Sequence, residues 1–122
     1  MSKFFIIIYF FLFVGCSIKQ PQKSNSVVVL LKTPLLKFHD KGFLTKYDDF
    51  IDLQIFTAGQ LVLELKIYKD KICKDSFRCI DSQEFNSIYF DSSYKNDFLY
   101  ELFNKEKIYF KDKKNKILIK IK

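Results

Sequence analysis

The clearest pattern along the chain is a strict alternation of apolar and other residues between positions 49 and 69. Two runs with a period of two flank a short stretch at 57–60 that contains Gly59. Such a pattern predicts a β-hairpin with one buried face. The apolar members of the two runs are Ile51, Leu53, Ile55, Leu61, Leu63, Leu65 and Ile67.

Weaker patterns predict the remaining elements. β-branched and apolar runs at 27–32 and 35–39 predict two strands, followed by a turn at 40–42 in which Gly42 takes a positive φ. Hairpins are predicted at 73–79 and 107–121, and in the second of these Ile117, Ile119 and Ile121 face inward.

Two short helices are predicted between these hairpins. The first spans 82–90 and begins with the capping box Asp81-Ser82-Gln83-Glu84. The second spans 96–104 after a cap at Asn96-Asp97, with its apolar residues on one face. The fold class is therefore α+β: a curved antiparallel sheet of about 6–7 strands with both helices packed on one face.

The first sixteen residues have a different character from the rest. Lys3 precedes an unbroken apolar run at 4–14, which ends at Gly15-Cys16. The run is too short to cross a bilayer and has the length of a signal-peptide core. An ordinary signal peptide with a chance cysteine, or an uncleaved anchor, is the alternative interpretation.

The stretch Phe13-Val14-Gly15-Cys16 resembles the lipobox of bacterial lipoproteins, although Phe13 replaces the usual leucine. The resemblance implies that residues 1–15 are cleaved and that Cys16 carries a diacylglyceryl group and an N-acyl chain such as palmitate. Residues 16–26 are polar and form a lipid-anchored tether, and 27–122 form a single globular domain. In the family's sorting pattern, Ser17 favours the outer membrane over the inner one, with the domain facing the periplasm or the cell surface.

Cys73 and Cys79 are the two thiols left once Cys16 is lipidated. A turn centred at 75–77 places them opposite each other, and an exported compartment favours a disulfide. Two reduced cysteines or a metal site are the alternatives, but a zinc site needs more ligands than one histidine can complete. No metal and no cofactor other than the covalent lipid is expected.

The positive charge is concentrated near the end of the chain. The formal net charge is +7, and residues 105–122 hold eight lysines against Glu106 and Asp112. This hairpin is a candidate contact for an anionic surface, or a solvated hairpin whose lysines protect a sheet edge. The candidate lysines are Lys107, Lys111, Lys113, Lys114, Lys116, Lys120 and Lys122.

No pattern in the chain indicates catalysis. His39 is the single histidine, and its neighbour Asp40 suggests a solvated turn rather than a catalytic pair. Three glycines are too few for a phosphate-binding loop, and no nucleic-acid recognition motif is present. The protein is therefore not expected to be an enzyme.

The sequence predicts a membrane-anchored envelope lipoprotein that acts as a non-catalytic binding or assembly factor. Its expected partners are membrane lipid through Cys16 and another envelope protein or an anionic lipid, and not nucleic acid. The alternative is a lipid or lipoprotein carrier or receptor with a hydrophobic half-barrel cavity. The order of elements and the export route resemble those of periplasmic lipoprotein carriers of the LolA/LolB type, although this chain is shorter.

Overall fold

Eight strands and two short helices follow one another in the part of the chain that the structure describes. The computed structural model describes residues 23–75 and 78–122, so the predicted leader, Cys16 and residues 17–22 of the tether lie outside the described residues. The strands are β1 (Lys23–Lys32), β2 (Lys37–Lys46), β3 (Ile51–Thr57), β4 (Gln60–Ile67), β5 (Lys71–Lys74), β6 (Arg78–Asp81), β7 (Ile108–Asp112) and β8 (Ile117–Ile121). The helices are α1 (Ser82–Tyr89) and α2 (Phe98–Phe103).

All eight strands belong to one open antiparallel sheet with the order β6-β5-β4-β3-β2-β1-β8-β7. Strands β1 to β6 form a meander, in which each strand pairs with the next. The chain then crosses from β6 at one edge to β7 at the other through α1 and α2. The α+β class is confirmed, with eight strands rather than the predicted 6–7.

One side of the sheet is buried beneath the helices. The inward positions alternate along each strand, so Leu53 of β3, Leu65 of β4 and Ile119 of β8 are at most 2% exposed. Phe85 of α1 and Phe103 of α2 are 1% exposed and belong to the same core. The predicted inward orientation of Ile117 and Ile119 is confirmed, while Ile121 is partly buried against the core.

Aromatic side chains fill the space between the helices and β7. Tyr94 lies in the connection between the helices, with its ring centroid 4.7 Å from Phe98 and 5.6 Å from Phe110. Phe90 continues the cluster, 5.9 Å from Phe98. Edge and tilted packing of this kind stabilises aromatic pairs beyond the area that they bury. The cluster fixes the chain that crosses the sheet.

The two helix starts differ in how they are capped. The Asp81 carboxylate accepts a hydrogen bond of 2.8 Å from the backbone amide of Gln83, which confirms Asp81 as the N-cap. At α2 the Asp97 side chain makes no capping bond. The helix begins at Phe98, two residues later than the predicted start, and ends at Phe103.

The prediction of a turn at 40–42 was wrong, because β2 runs without a break from Lys37 to Lys46. Gly42 lies in the middle of this strand and does not have a positive φ. A Cβ atom at Gly42 would lie 2.2 Å from the Gln54 carbonyl oxygen of β3. The glycine therefore permits a close approach of two backbones rather than a turn.

The first strand begins earlier than the start of the domain expected at residue 27. The polar residues from Lys23 to Ser26 belong to β1 and pair with β2, beginning at Lys23 opposite Lys46. Backbone pairing accounts for this, since residues with little apolar surface still form ladder hydrogen bonds. At most six residues, 17–22, separate Cys16 from the sheet.

The three predicted hairpins are present. In the β3–β4 hairpin the turn residues Ala58 and Gly59 both have positive φ, 52° and 79°, which matches the right-handed twist of paired strands. In the β5–β6 hairpin Cys73 lies opposite Cys79 and the two form a disulfide bond. The β7–β8 hairpin pairs Ile108 with Ile121.

Candidate functional site: the outer face of the sheet

The side of the sheet opposite the helices is open to solvent over β7, β8, β1 and β2. Side chains alternate along each strand, so every second residue of these four strands points away from the core. We call this surface the basic face. Its members are Ser24, Ser26, Val28, Leu30, Lys32, Lys37, His39, Lys41, Phe43, Thr45, Tyr109, Lys111, Leu118, Lys120 and, directly after β8, Lys122.

Cross-strand pairing arranges this face in rows that mix lysine and apolar side chains. One row runs Lys111, Leu118, Lys32, Lys37 from β7 to β2. The next runs Tyr109, Lys120, Leu30, His39. In a third row Lys122 lies opposite Val28, through backbone hydrogen bonds of 2.9 and 3.1 Å, and Val28 lies opposite Lys41. Six lysines are thereby interleaved with aliphatic and aromatic groups.

The basic face carries no acidic side chain. The two acidic residues of these four strands, Asp40 and Asp112, occupy the alternate positions. The Asp40 carboxylate accepts a 3.0 Å hydrogen bond from the Thr57 hydroxyl, and Asp112 accepts hydrogen bonds from Tyr94 and Asn115. Positive charge on the face is therefore not neutralised within it. Repulsion from Lys122 lowers the pKa of Lys120, and Lys107 adds to this effect.

Several apolar side chains on the outer side are exposed. Val28 is 45% exposed, Phe43 is 44% exposed and Leu61 of the neighbouring β4 is 49% exposed. The Phe43 ring packs edge-on against Phe56 of β3, with centroids 5.7 Å apart. Exposed apolar groups surrounded by polar ones are typical of interaction surfaces. Together with the lysines they form an amphipathic cationic surface.

A pair of carboxyl groups lies on the same side of the sheet, at β3 and β4. Glu64 is 8% exposed and accepts a 2.7 Å hydrogen bond from the Gln54 amide. Burial, and next the charge of Glu64, raise the pKa of the neighbouring Asp52 to about 6, while Lys66 opposes the shift. Asp52 was predicted to be an ordinary solvent-facing residue, and its partial burial beside a second carboxylate was missed.

Replacing Asp52 by asparagine is expected to stabilise the protein above pH 6. A carboxyl group whose pKa is raised on folding favours the folded state at low pH, and that contribution is lost as the pH rises from about 4 to 6. Since Asp52 is half exposed and screened by solvent, we expect a gain of about 1 kcal/mol at pH 7.5 and none near pH 4. Urea unfolding at both pH values measures the difference.

Asp70→Asn is the matched control, because Asp70 is an exposed residue in the turn between β4 and β5. The control should show no comparable dependence on pH. Equal stability of Asp52→Asn and the parent protein at pH 7.5 would contradict the raised pKa.

The structure distributes the candidate lysines over three places. Lys111, Lys120 and Lys122 lie on the basic face, whereas Lys113, Lys114 and Lys116 lie in the turn between β7 and β8. Lys107 directly precedes β7 and is exposed. The candidate residues did not include Lys32, Lys37 and Lys41, which β1 and β2 place beside the terminal hairpin. Recognising the alternation of side chains along β1 and β2 would have placed these three lysines on the basic face.

Residues 23–75 and 78–122 contain no group of three or more His, Cys, Asp or Glu side chains placed to hold a metal ion. Among the same residues, neither helix has the length and apolar character needed to traverse a bilayer.

Comparison with known proteins does not place the chain in a family. No family model, no curated protein and no solved structure matches it.

Proposed function

We propose that the protein is a lipid-anchored envelope lipoprotein whose basic face docks on the anionic surface of the membrane that holds its anchor. It acts as a non-catalytic binding module. The observation that carries the proposal is the interleaving of six lysines with exposed apolar groups on a surface free of acidic side chains. Each lysine close to an anionic bilayer contributes about 1 kcal/mol to the free energy of binding, and apolar side chains enter the interfacial region of the bilayer.

The tether keeps this surface close to the membrane. Cys16 and Lys23, the first residue of β1, are seven positions apart, so the chain between them reaches roughly 25 Å at most. β1 itself is ten residues, or about 33 Å, long. The distance from the lipid to the domain is therefore no longer than β1 itself. Because β1 is the strand joined to the tether and also belongs to the basic face, this face is held near the membrane.

A carrier function has less support. A cleft of about 380 Å³ lies between the β5–β6 hairpin and α1, lined in part by Ile80, Ile88 and Tyr89. A second cleft of about 460 Å³ lies on the inner side beside the residues that follow α2, lined in part by Leu44 and Ile108. Both clefts are open to solvent, and the aromatic cluster fills the space between the helices and β7. Lipid that co-purifies with the protein in stoichiometric amount would favour the carrier instead.

The anchor and the docking surface are tested on the same preparation. Protein isolated from cells grown with labelled palmitate should carry label, and Cys16→Ala should not. The lipidated protein is then placed in vesicles of phosphatidylglycerol or of phosphatidylcholine and exposed to a water-soluble amine-acetylating reagent. Mass spectrometry reads the acetylation rate at each lysine.

We expect Lys41, Lys120 and Lys122 to react at least threefold more slowly in the anionic vesicles. Lys69 and Lys95 are matched controls, because both are exposed and neither belongs to the basic face. Lys69 lies 5.5 Å from the ring of Tyr100 in α2 on the helix side. High salt should remove the protection, since it screens charge over a few ångströms.

Equal rates in the two kinds of vesicle would overturn docking on anionic lipid. Protection in native envelope membranes but not in phosphatidylglycerol vesicles would make an envelope protein the partner. Palmitate on Cys16→Ala would overturn the anchor itself.

A further inference from the structure

The tips of two hairpins flank a cavity that is open to solvent, at one end of the basic face. The β1–β2 turn and the β7–β8 turn meet there, and the cavity has a volume of about 550 Å³. This size is within the range of small-molecule sites. The row formed by Lys111, Leu118, Lys32 and Lys37 is its border with the basic face.

Five lysines and one carboxylate line the cavity. Lys32 and Lys37 come from the first hairpin, and Lys111, Lys113 and Lys116 come from the last. Among the residues that the structure describes, none of these lysines forms an ion pair with a carboxylate. Because the two hairpins are far apart in sequence, only the pairing of β1 with β8 brings the two groups together.

The one carboxylate of the cavity, Asp112, is engaged elsewhere. Tyr94 donates its hydroxyl hydrogen to Asp112, and Asn115 donates from its side-chain amide at 2.8 Å and from its backbone at 3.2 Å. These bonds hold the carboxylate toward the interhelical connection and the turn. Asp112 keeps its charge but forms no ion pair with these lysines, so five lysines and one carboxylate leave the lining with a formal charge of +4.

The backbone around the cavity is well defined. Thr33 is 2% exposed, and its hydroxyl oxygen accepts hydrogen bonds from the amides of Leu35 and Leu36 at 3.2 and 3.0 Å. Its own amide donates to the Leu36 carbonyl at 2.7 Å. This closes the β1–β2 turn and sets the separation of Lys32 from Lys37. On the other side, Asn115 and Asp112 brace the β7–β8 turn.

We propose that the cavity between the two hairpin tips is a binding site for a phosphate monoester group. Lysine ammonium groups bind phosphate as point charges, and several of them converging on one cavity favour the most highly charged anion of that size. A phosphate monoester carries close to two negative charges at neutral pH, whereas a diester carries one. The inference rests on the proposed function in one respect: if the basic face docks on the membrane, lipid head groups are one source of the phosphate monoester.

Soluble anions test the site directly. The lipidated protein in neutral detergent is titrated with inorganic phosphate and pyrophosphate, and lysine resonances or heat are recorded at physiological salt. We expect saturable binding, weakened at least threefold by Lys37→Gln and by Lys113→Gln. Lys41→Gln and Lys120→Gln should leave it unchanged, because both residues lie on the basic face outside the cavity.

Vesicles identify the source of the group. Phosphatidic acid ends in a phosphate monoester and phosphatidylglycerol contains a diester, so vesicles of the two lipids are compared at equal surface charge. A threefold or greater preference for phosphatidic acid, lost in Lys37→Gln and Lys113→Gln, indicates a lipid head group. Saturable binding of soluble phosphate without that preference indicates a free phosphorylated ligand.

The proposal is overturned if the soluble anions do not bind and the two kinds of vesicle bind equally. It is also overturned if Lys41→Gln weakens the binding of soluble phosphate as much as Lys37→Gln does. Equal acetylation of Lys41, Lys120 and Lys122 in phosphatidylglycerol and phosphatidylcholine vesicles would instead remove the membrane-docking function and leave a positive phosphate titration intact. The two failures are thus distinguishable.

Discussion

Gly42→Ala is expected to destabilise the folded protein by about 3 kcal/mol, the upper part of the range for overpacked positions. The new Cβ atom would lie 2.2 Å from the Gln54 carbonyl oxygen and 3.3 Å from the Val29 side chain. The oxygen belongs to the backbone of β3, so it can move only if the pairing of β2 with β3 is distorted. Urea unfolding measures the loss of stability.

Gly59→Ala is the matched control for this substitution. Gly59 has a φ of +79°, and a Cβ atom there would meet nothing within 4 Å. We therefore expect a conformational cost of about 1 kcal/mol, with no steric contribution. A loss at Gly42 no larger than that at Gly59 would contradict the close approach of β2 and β3.

Phe85→Ala is expected to cost about 4 kcal/mol, within the range for buried phenylalanine. Phe85 is 1% exposed and is the residue through which α1 enters the core. Its ring lies 4.6 Å from Tyr89 and 6.0 Å from Phe90, measured between centroids. Removing the ring leaves a cavity beneath the helix that these neighbours cannot fill. Thermal and urea unfolding both report the change.

Phe43→Ala provides the comparison, since Phe43 is 44% exposed on the basic face. Its loss should cost less than about 1 kcal/mol. The same variant should bind phosphatidylglycerol vesicles more weakly, because an apolar group is removed from the docking surface. Similar unfolding costs at Phe43 and Phe85 would contradict the assignment of inner and outer faces.

Alternation along β3 and β4 was enough to predict the central hairpin and most of its buried face. Leu61 was predicted to face inward but is 49% exposed on the outer side, because the pairing register shifts between Ile55 and Phe56. The buried positions Ile51, Leu53 and Ile55 are those that the pattern indicates, because each strand has one covered side. The disulfide was predictable for a similar reason, since a short turn between Cys73 and Cys79 leaves few arrangements. Such local signals need no knowledge of distant parts of the chain.

The start of β1 and the middle of β2 were not predictable from local pattern. Lys23 to Ser26 is polar, and Asp40-Lys41-Gly42 has the composition of a turn. Both segments are held by ladder hydrogen bonds to neighbouring strands, which depend on pairing rather than on side-chain polarity. The glycine in β2 is required by a contact with β3. The residues near a glycine in sequence do not indicate which distant strand will pack against it.

Charge counted along the sequence underestimated the candidate site. The lysines of β1 and β2 are balanced by acidic residues when they are summed over the chain, so the terminal hairpin alone stood out. In the fold, alternation sends Asp40 to one side and Lys41 to the other. When the charged residues are grouped by the face of the sheet on which they lie, a cationic surface is found. Grouping them by position in the sequence does not show it.

The pairing of β1 with β8 has a consequence for the kinetics of folding. Strands β1 to β6 meet through short hairpins, which close quickly, whereas the contact between Val29 and Ile121 must close a loop of most of the described chain. We therefore expect the meander to form first and the last hairpin to dock onto it late. Until then β1 is an unpaired edge, open to association with other copies of the chain.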